Sequence, residues 1–375
     1  MQNDEWISLL PPREFEDDLW TRLRKDERPI LVYGMGNGAD KLLARLQTIN
    51  REVSDFFASD AFVRGQSFHG KRVLTFREAK EKYDDFIVLV CFGSHLRSVI
   101  DDVYSLADEC CLYIPDMPLA SDEYFDASFY RAHYDEIVRA YLLLADDISK
   151  RVFASTLHYK LTGKLSHLID SAYAEDEKAL CTFHTLTAAL DVGAYRGDTV
   201  RELLECAPHL EYVLAIEPDR RNFKRLKEYA DTVSSVEIEC IQAAAWMLDG
   251  ELSFAESGNR NAALSVLDAN ASSYKHKTKT VNTVKIDTLL QGRRKIDYIK
   301  YDTEGVECEA LVGTREVIRS YAPTLLVSAY HKSEDMFSLL LLLDDLSSGS
   351  YEYYMRRREC FPAWDLNLIA RKRRI

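Results

Sequence analysis

The stretch from Ala189 to Thr199 reads Ala-Leu-Asp-Val-Gly-Ala-Tyr-Arg-Gly-Asp-Thr. An apolar run stops at Gly193, and after Gly197 a helical pattern begins, with Val200, Leu203 and Leu204 on one face. This predicts a strand, a loop and a helix that starts at Asp198 or Thr199. A glycine lets the backbone pass close to a ligand, and free N–H groups at a helix start attract a negative group. A dinucleotide fingerprint carries more glycines, to fit a pyrophosphate. The Gly193-x-x-x-Gly197 spacing suits a smaller anion, such as a carboxylate. The next apolar run, Tyr212 to Ile216, ends at Glu217-Pro218-Asp219. An acid at that strand tip is the usual partner of two ribose hydroxyls. Taken singly, Asp191 and Glu217 read as ordinary strand-end acids. In this order they describe a site for an adenosine that carries an amino acid tail, which is S-adenosylmethionine. Asp191, Gly193, Gly197, Thr199, Glu217 and Asp219 are the residues expected to hold it.

A second cluster lies further along. A predicted strand, Ile296 to Ile299, sets Lys300, Asp302 and Glu304 at its carboxyl end, where ligands bind in open α/β sheets. Alternation along an extended chain would send the three to one side. The next strand, Leu325 to Ser328, delivers Tyr330, His331 and Lys332 to the same rim. An alcohol is a poor nucleophile unless its proton has somewhere to go. His331 is the expected base because an ordinary histidine titrates near neutral pH, with Asp302 and Glu304 beside it. Tyr330, Lys332 and Arg260, the last in the polar loop Ser257 to Asn261, are expected to face the acceptor. Asp302 and Glu304 could hold a divalent ion, but no His-rich motif marks a metal centre, and none is expected.

These blocks resemble the FkbM-type family of class I S-adenosylmethionine-dependent methyltransferases. The matching residues are Asp191-Val192-Gly193-Ala194 with Gly197 and Thr199, then Ala215-Ile216-Glu217-Pro218, then Ile299 to Gly305 with Glu307, and Ser328 to Asp335. The resemblance covers roughly residues 185–370 and departs at Tyr195, where the family commonly has Asn. It implies a sugar or sugar-bearing metabolite as acceptor. It also sets the turn around Ala244 beside the adenine. Asp302 is expected to take part in holding the cofactor as well.

The bulk numbers narrow the field. The 375 residues suffice for two or three domains. A net charge of −13 disfavours nucleic acid, since phosphate binding needs clustered Lys and Arg. No apolar run approaches the roughly 18 residues of a spanning helix, and the first residues lack the parts of a signal peptide. The eight cysteines show no CxxC pair, which fits reduced thiols and a cytoplasmic location.

Residues 13–25 predict an opening helix. Ile30 to Tyr33 then runs into Gly34-Met35-Gly36-Asn37-Gly38-Ala39, a Gly-x-Gly-x-x-Ala fingerprint between strand and helix. Strands follow at Val53 to Ala58, Phe86 to Phe92 and Leu112 to Ile114, with Asp60 placed as a ribose acid. The expected fold class is therefore α/β: an N-terminal Rossmann-like domain (1–120), a helical connector (121–184), and a C-terminal class I methyltransferase domain (185–375). The last is a doubly wound sheet ending in an antiparallel hairpin, Tyr351 to Arg356 with Leu366 to Ala370. The aromatic stripe Tyr124, Phe125, Phe129, Tyr130 and Tyr134 reads as core. The expected function is O-methyl transfer to a small-molecule or glycan acceptor, in a chain that could form a homo-oligomer. Two rivals stand: a bifunctional nucleotide-sugar enzyme with a working NAD site, and a non-catalytic binding protein with degenerate Rossmann units.

Overall fold

The computed structural model describes residues 6–255 and 278–373. Short apolar runs become strands covered on both faces. Ile30–Tyr33 (β1), Val53–Phe57 (β2), Ile87–Val90 (β3) and Cys111–Tyr113 (β4) form a parallel sheet in the order β2-β1-β3-β4. Helices Asn37–Thr48, Phe76–Lys82 and Arg97–Glu109 lie between successive strands. The opening helix is shorter than the sequence pattern predicts. It begins at Leu19, because the Asp18 carboxylate accepts the Thr21 N–H at 2.7 Å and so caps the helix from outside.

Nucleotides bind such sheets where the strand order reverses, here between the carboxyl ends of β1 and β3. Around that crevice two glycines sit against neighbouring chain, while Gly36 in the loop between strand and helix has nothing within 4 Å of its Cβ position. A Cβ on Gly38 would stand 1.9 Å from the Cys91 carbonyl oxygen, and one on Gly93 would stand 2.1 Å from the Trp364 ring. Ser94 and Phe361 exchange backbone hydrogen bonds of 2.8 and 3.2 Å, and Arg97 pairs with Glu359 at 2.8 Å. Glycines 38 and 93 thus serve close packing of the chain on itself.

The larger sheet has seven strands: Ala188–Val192 (β5), Tyr212–Ile216 (β6), Glu237–Ile241 (β7), Tyr298–Tyr301 (β8), Thr324–Ser328 (β9), Tyr351–Arg357 (β10) and Leu366–Lys372 (β11). Their order is β10-β11-β9-β8-β5-β6-β7. β5 to β9 are parallel, and the hairpin β10–β11 joins β9 antiparallel. A small separate sheet pairs Ala244–Ala245 and Gly250–Ala255 with Thr278–Val284. β8 begins two residues later than the pattern predicts. The Asp297 carboxylate accepts from Thr187 and from the Ala188 amide, so the regular ladder starts after it.

Period-two alternation divides the sheet's side chains between two cores. Leu190, Ile299 and Val327 pack with the aromatic stripe of the connecting helices, through Phe125, Tyr130 and Phe153. Ala189, Val213 and Leu326 pack under helix Asp198–Cys206 through Val200 and Leu203. Two fully buried arginines fasten the connecting region to the hairpin. Arg356 grips Asp176 through two bonds of 2.6 and 2.8 Å and Asp146 at 2.8 Å. Arg357 donates to Ser171 Oγ at 2.7 Å and to the carbonyls of Leu168 and Cys360. Removing one partner of a buried pair leaves the others uncompensated, at about 3–5 kcal/mol. Asp146 and Asp176 are about one-third exposed, which sets Arg356→Ala at the lower end. Urea unfolding should show a loss of about 3 kcal/mol. A loss within error of zero would show that this clamp does not hold the two parts together.

Candidate active site

The register of the central strands sets the first contact. Lys300 on β8 stands opposite Asp191 on β5, and both point toward the face under helix Asp198–Cys206. Lys300 Nζ donates to Thr199 Oγ1 at 2.9 Å and to Asp302 Oδ2 at 3.2 Å. Burial opposes the lysine charge, but Asp302 and Asp191 outweigh it and the ammonium is held well above its ordinary range. Asp191 is fully buried, and neither of its oxygens has a hydrogen-bond partner. Burial pushes its carboxyl up to about 7 against the pull of Lys300.

The loop after β5 turns back on the neighbouring strand tips. The N–H groups of Gly193 and Ala194 both donate to the Ile216 carbonyl, at 3.0 and 2.9 Å. Gly193 has φ +87°, and a Cβ there would meet the Asp302 carbonyl oxygen at 1.9 Å. Glycine therefore brings two strand tips together at this point. Gly197 caps helix Asp198–Cys206 in the left-handed conformation. Tyr195 is also left-handed, at φ +48°. Asn, common in the resembling family here, tolerates that conformation better than Tyr does. The Tyr195 and Asp219 amides each donate to one oxygen of Glu217 at 2.8 Å. Glu217 is 6% exposed, and burial pushes its carboxyl up to about 7. Asp219 accepts from the amides of Arg221 and Asn222 and caps helix Arg220–Ala230. Ala244 lies buried in its two-residue strand.

The second cluster assembles beside the first. β8 ends at Tyr301, so alternation carries Lys300 and Asp302 but stops before Glu304. A left-handed turn, with φ +58° at Glu304 and +101° at Gly305, delivers Glu304 instead. His331 follows the tip of β9 and is 1% exposed. Its Nε2 stands 3.6 Å from Asp302 Oδ1 and 3.7 Å from Glu304 Oε2, and its Nδ1 stands 3.0 Å from Glu307 Oε1. Burial disfavours the imidazolium, yet Glu307, Asp302 and Glu304 push the pKa up to about 10. In this setting His331 is charged at neutral pH and has no lone pair to take a proton, unlike the near-neutral base the sequence suggested. Burial raises the Glu304 carboxyl above its usual range, and the side chain is 51% exposed. Burial opposes charge on Asp302 too, but Lys300 outweighs it and holds the group down. Tyr330 Oη donates to Asp302 Oδ1 at 3.4 Å, and the Lys332 amide donates to Asp335 Oδ2 at 2.7 Å.

Residues 191–353, from the partnerless aspartate to the hairpin, match the methyltransferase FkbM domain. The chain carries an FkbM methyltransferase domain. By that domain it is an S-adenosylmethionine-dependent methyltransferase. The fold is similar, over 98% of each chain and with a TM-score of 0.68, to methyltransferase FkbM from Methylobacillus flagellatus KT, at 17% identity. More distant is precorrin-6y C5,15-methyltransferase from Geobacter metallireducens, with 10% identity, 53% of this chain, 88% of that one and a TM-score of 0.33. Aeropyrum pernix fibrillarin, in complex with S-adenosyl-L-methionine, has 10% identity, 52% of this chain, 74% of that one and a TM-score of 0.33. No curated protein matches the chain.

Within the FkbM domain the expected rim residues Asp302, Glu304, Tyr330, His331 and Lys332 come together. Arg260 lies outside the described residues. Glu307 and Asp335, both buried, were not among the expected site residues. The signal for Glu307 is an acid sharing the buried face of a helix with Ala310 and Leu311, three and four residues on. The Glu307 carboxylate accepts from the Thr303 amide at 2.8 Å. Burial opposes its charge, and His331 outweighs burial to hold it low.

The raised Asp191 carboxyl has a consequence for stability. The folded chain keeps a proton that the unfolded chain releases above its ordinary 3.8, so this contribution is lost as pH rises through about 7. Asp191→Asn should flatten that fall and raise the melting temperature at pH 8 without ligand. A lower melting temperature at pH 8 would show that Asp191 is already compensated.

Proposed function

We propose that the chain transfers a methyl group from S-adenosylmethionine to a hydroxyl of a carbohydrate or sugar-containing metabolite. The observation that carries the reading is the buried, partnerless Asp191 carboxylate beside Glu217, at the carboxyl ends of β5 and β6. This donor set fits the cofactor. Each Glu217 oxygen accepts one amide and keeps capacity for a ribose hydroxyl. Gly193 and Asp191 would lie by the amino acid tail, Gly197 and Thr199 would shape the helix start, and Ala244 and Asp219 would flank the adenosine.

The cofactor, when bound, supplies an electrophilic sulfonium methyl. The chain must align a hydroxyl with it, keep water out and take one proton. Orientation alone is worth about 7–11 kcal/mol. Glu304 is the proton acceptor in this reading, being half exposed at the mouth, with its carboxyl raised by partial burial and by the Asp302 and Glu307 carboxylates. His331 as imidazolium holds Asp302 and Glu304 in place. Tyr330 and Lys332 meet the acceptor, whose hydroxyls donate to carboxylates and whose ring face packs on an aromatic ring. A net charge of −13 favours a small or glycan acceptor over nucleic acid.

Glu217→Ala should weaken S-adenosylmethionine binding by about tenfold or more, the worth of a charge-assisted hydrogen bond. Calorimetry giving equal affinity would remove the ribose assignment. Glu304→Gln should lower kcat by about 10²–10⁴-fold while cofactor affinity holds, measured on the first sugar that turns over in an acceptor screen. The wild-type rate should fall as pH drops through the Glu304 pKa, above the ordinary 4.5. An unchanged rate in the variant would move the base elsewhere.

A further inference from the structure

Three carboxylates meet at His331, more negative charge than its imidazolium and Lys300, which bonds Asp302, together answer. Asp302, Glu304 and Glu307 converge on the ring, and Asp335 lies within the same field. One ligand atom from each of Asp302, Glu307 and His331 falls within 4.8 Å of the others. Glu307 and His331 are both 1% exposed. Glu307 Oε1 is taken by the Thr303 amide and hydroxyl, at 2.8 and 3.0 Å. Glu307 Oε2 is enclosed with no hydrogen-bond partner, while His331 Nδ1 faces Glu307 Oε1 at 3.0 Å as an ion pair. The 3.6 Å from Nε2 to Asp302 Oδ1 is too long for a hydrogen bond. It is close to the separation of about 3–3.6 Å expected for two donors on one ion held at about 2.0–2.2 Å. Asp302 is 27% exposed, so the cluster opens on one side.

We infer that Asp302, Glu307 and His331 bind one divalent cation at the rim of the acceptor pocket. Two carboxylates and one imidazole form an oxygen-rich set with one nitrogen, which suits a hard ion that also accepts imidazole, such as Mn²⁺. The scaffold is stiff where the ligand needs it: the Leu119 and Ala120 amides clamp the His331 carbonyl at 3.2 and 3.0 Å. The ion binds the neutral imidazole, so it displaces the proton that His331 carries in the metal-free chain and takes over the role of the imidazolium in holding Asp302. The role of the ion rests on the methyl-transfer reading. A cation here takes the acceptor hydroxyl oxygen and lowers its pKa, and Glu304 at the mouth accepts the released proton.

The test is direct binding. The full chain, stripped with chelator, is titrated with Mn²⁺ and the free ion is read by electron paramagnetic resonance. Neither cofactor nor acceptor is present, so the result does not depend on methyl transfer. One Mn²⁺ per chain is expected, with affinity reduced at least about tenfold in Glu307→Gln and in His331→Gln. Asp302→Asn alters a partly exposed side chain and provides an independent arm should the buried variants fold poorly, as far-UV circular dichroism would show. The inference is overturned if the wild type takes up no Mn²⁺, or if folded Asp302→Asn binds it as tightly as the wild type.

Discussion

A lysine ammonium between two aspartates is the contact on which the candidate site depends. Lys300 sits within a strand that has neighbours on both sides, and its side chain is 17% exposed. It bonds Thr199 and Asp302 and faces Asp191, so three strand-tip elements share one positive charge. Leaving those carboxylates without it would strand buried negative charge, at several kcal/mol. Apolar residues could fill the same volume at lower electrostatic cost. A charged trio here keeps Asp191 ionisable and without a hydrogen bond at a ligand-binding edge, which is a functional arrangement rather than an economical core.

The N-terminal sheet reaches the site through backbone contacts. Lys41, on helix Asn37–Thr48, donates to the Pro118 carbonyl at 2.9 Å. Two residues on, the Ala120 amide bonds the His331 carbonyl, and a Cβ on Gly305 would stand 2.4 Å from the Ala120 Cβ. Ser333 Oγ then donates to the Glu123 carbonyl at 2.6 Å. Residues 118–123 are thus a wall of the rim, pinned from both sides. Two of the fingerprint glycines follow the same logic. Gly34 and Gly38 bring chain against chain, while Gly36 stands open, and the N-terminal part reaches the site through packing.

The parts of the site fixed by local chemistry were legible in the sequence. Short apolar runs mark most of the parallel strands, with Gly193 and Pro218 stopping β5 and β6, and the strand ends place Asp191, Glu217, Asp302 and His331. What depends on long-range pairing was not legible. The start of β8 is set by Asp297 reaching back to Thr187 and Ala188, a contact across about a hundred residues that no local window contains. The state of His331 was misread for a similar reason. Its charge is set mostly by Glu307 and Asp302, which approach from another strand end. Asp18 shortened the first helix through an N-cap that the apolar spacing alone had overridden.

The rim also carries backbone conformations that side chains resist. Tyr195 and Glu304 both lie in the left-handed region, at about 1–2 kcal/mol each relative to ordinary backbone. Such positions persist only where the surroundings over-determine them. At Tyr195 the restraint is the amide bond to Glu217; at Glu304 it is the turn into Gly305, whose amide faces Glu307 Oε1 at 3.4 Å. The two acids that hold these turns also belong to the two halves of the site, Glu217 on the cofactor side and Glu307 behind His331. Backbone strain and site chemistry therefore draw on the same carboxylates. A change at either acid disturbs the loop as well as the charge, so its effect on binding has to be read beside a measure of local structure.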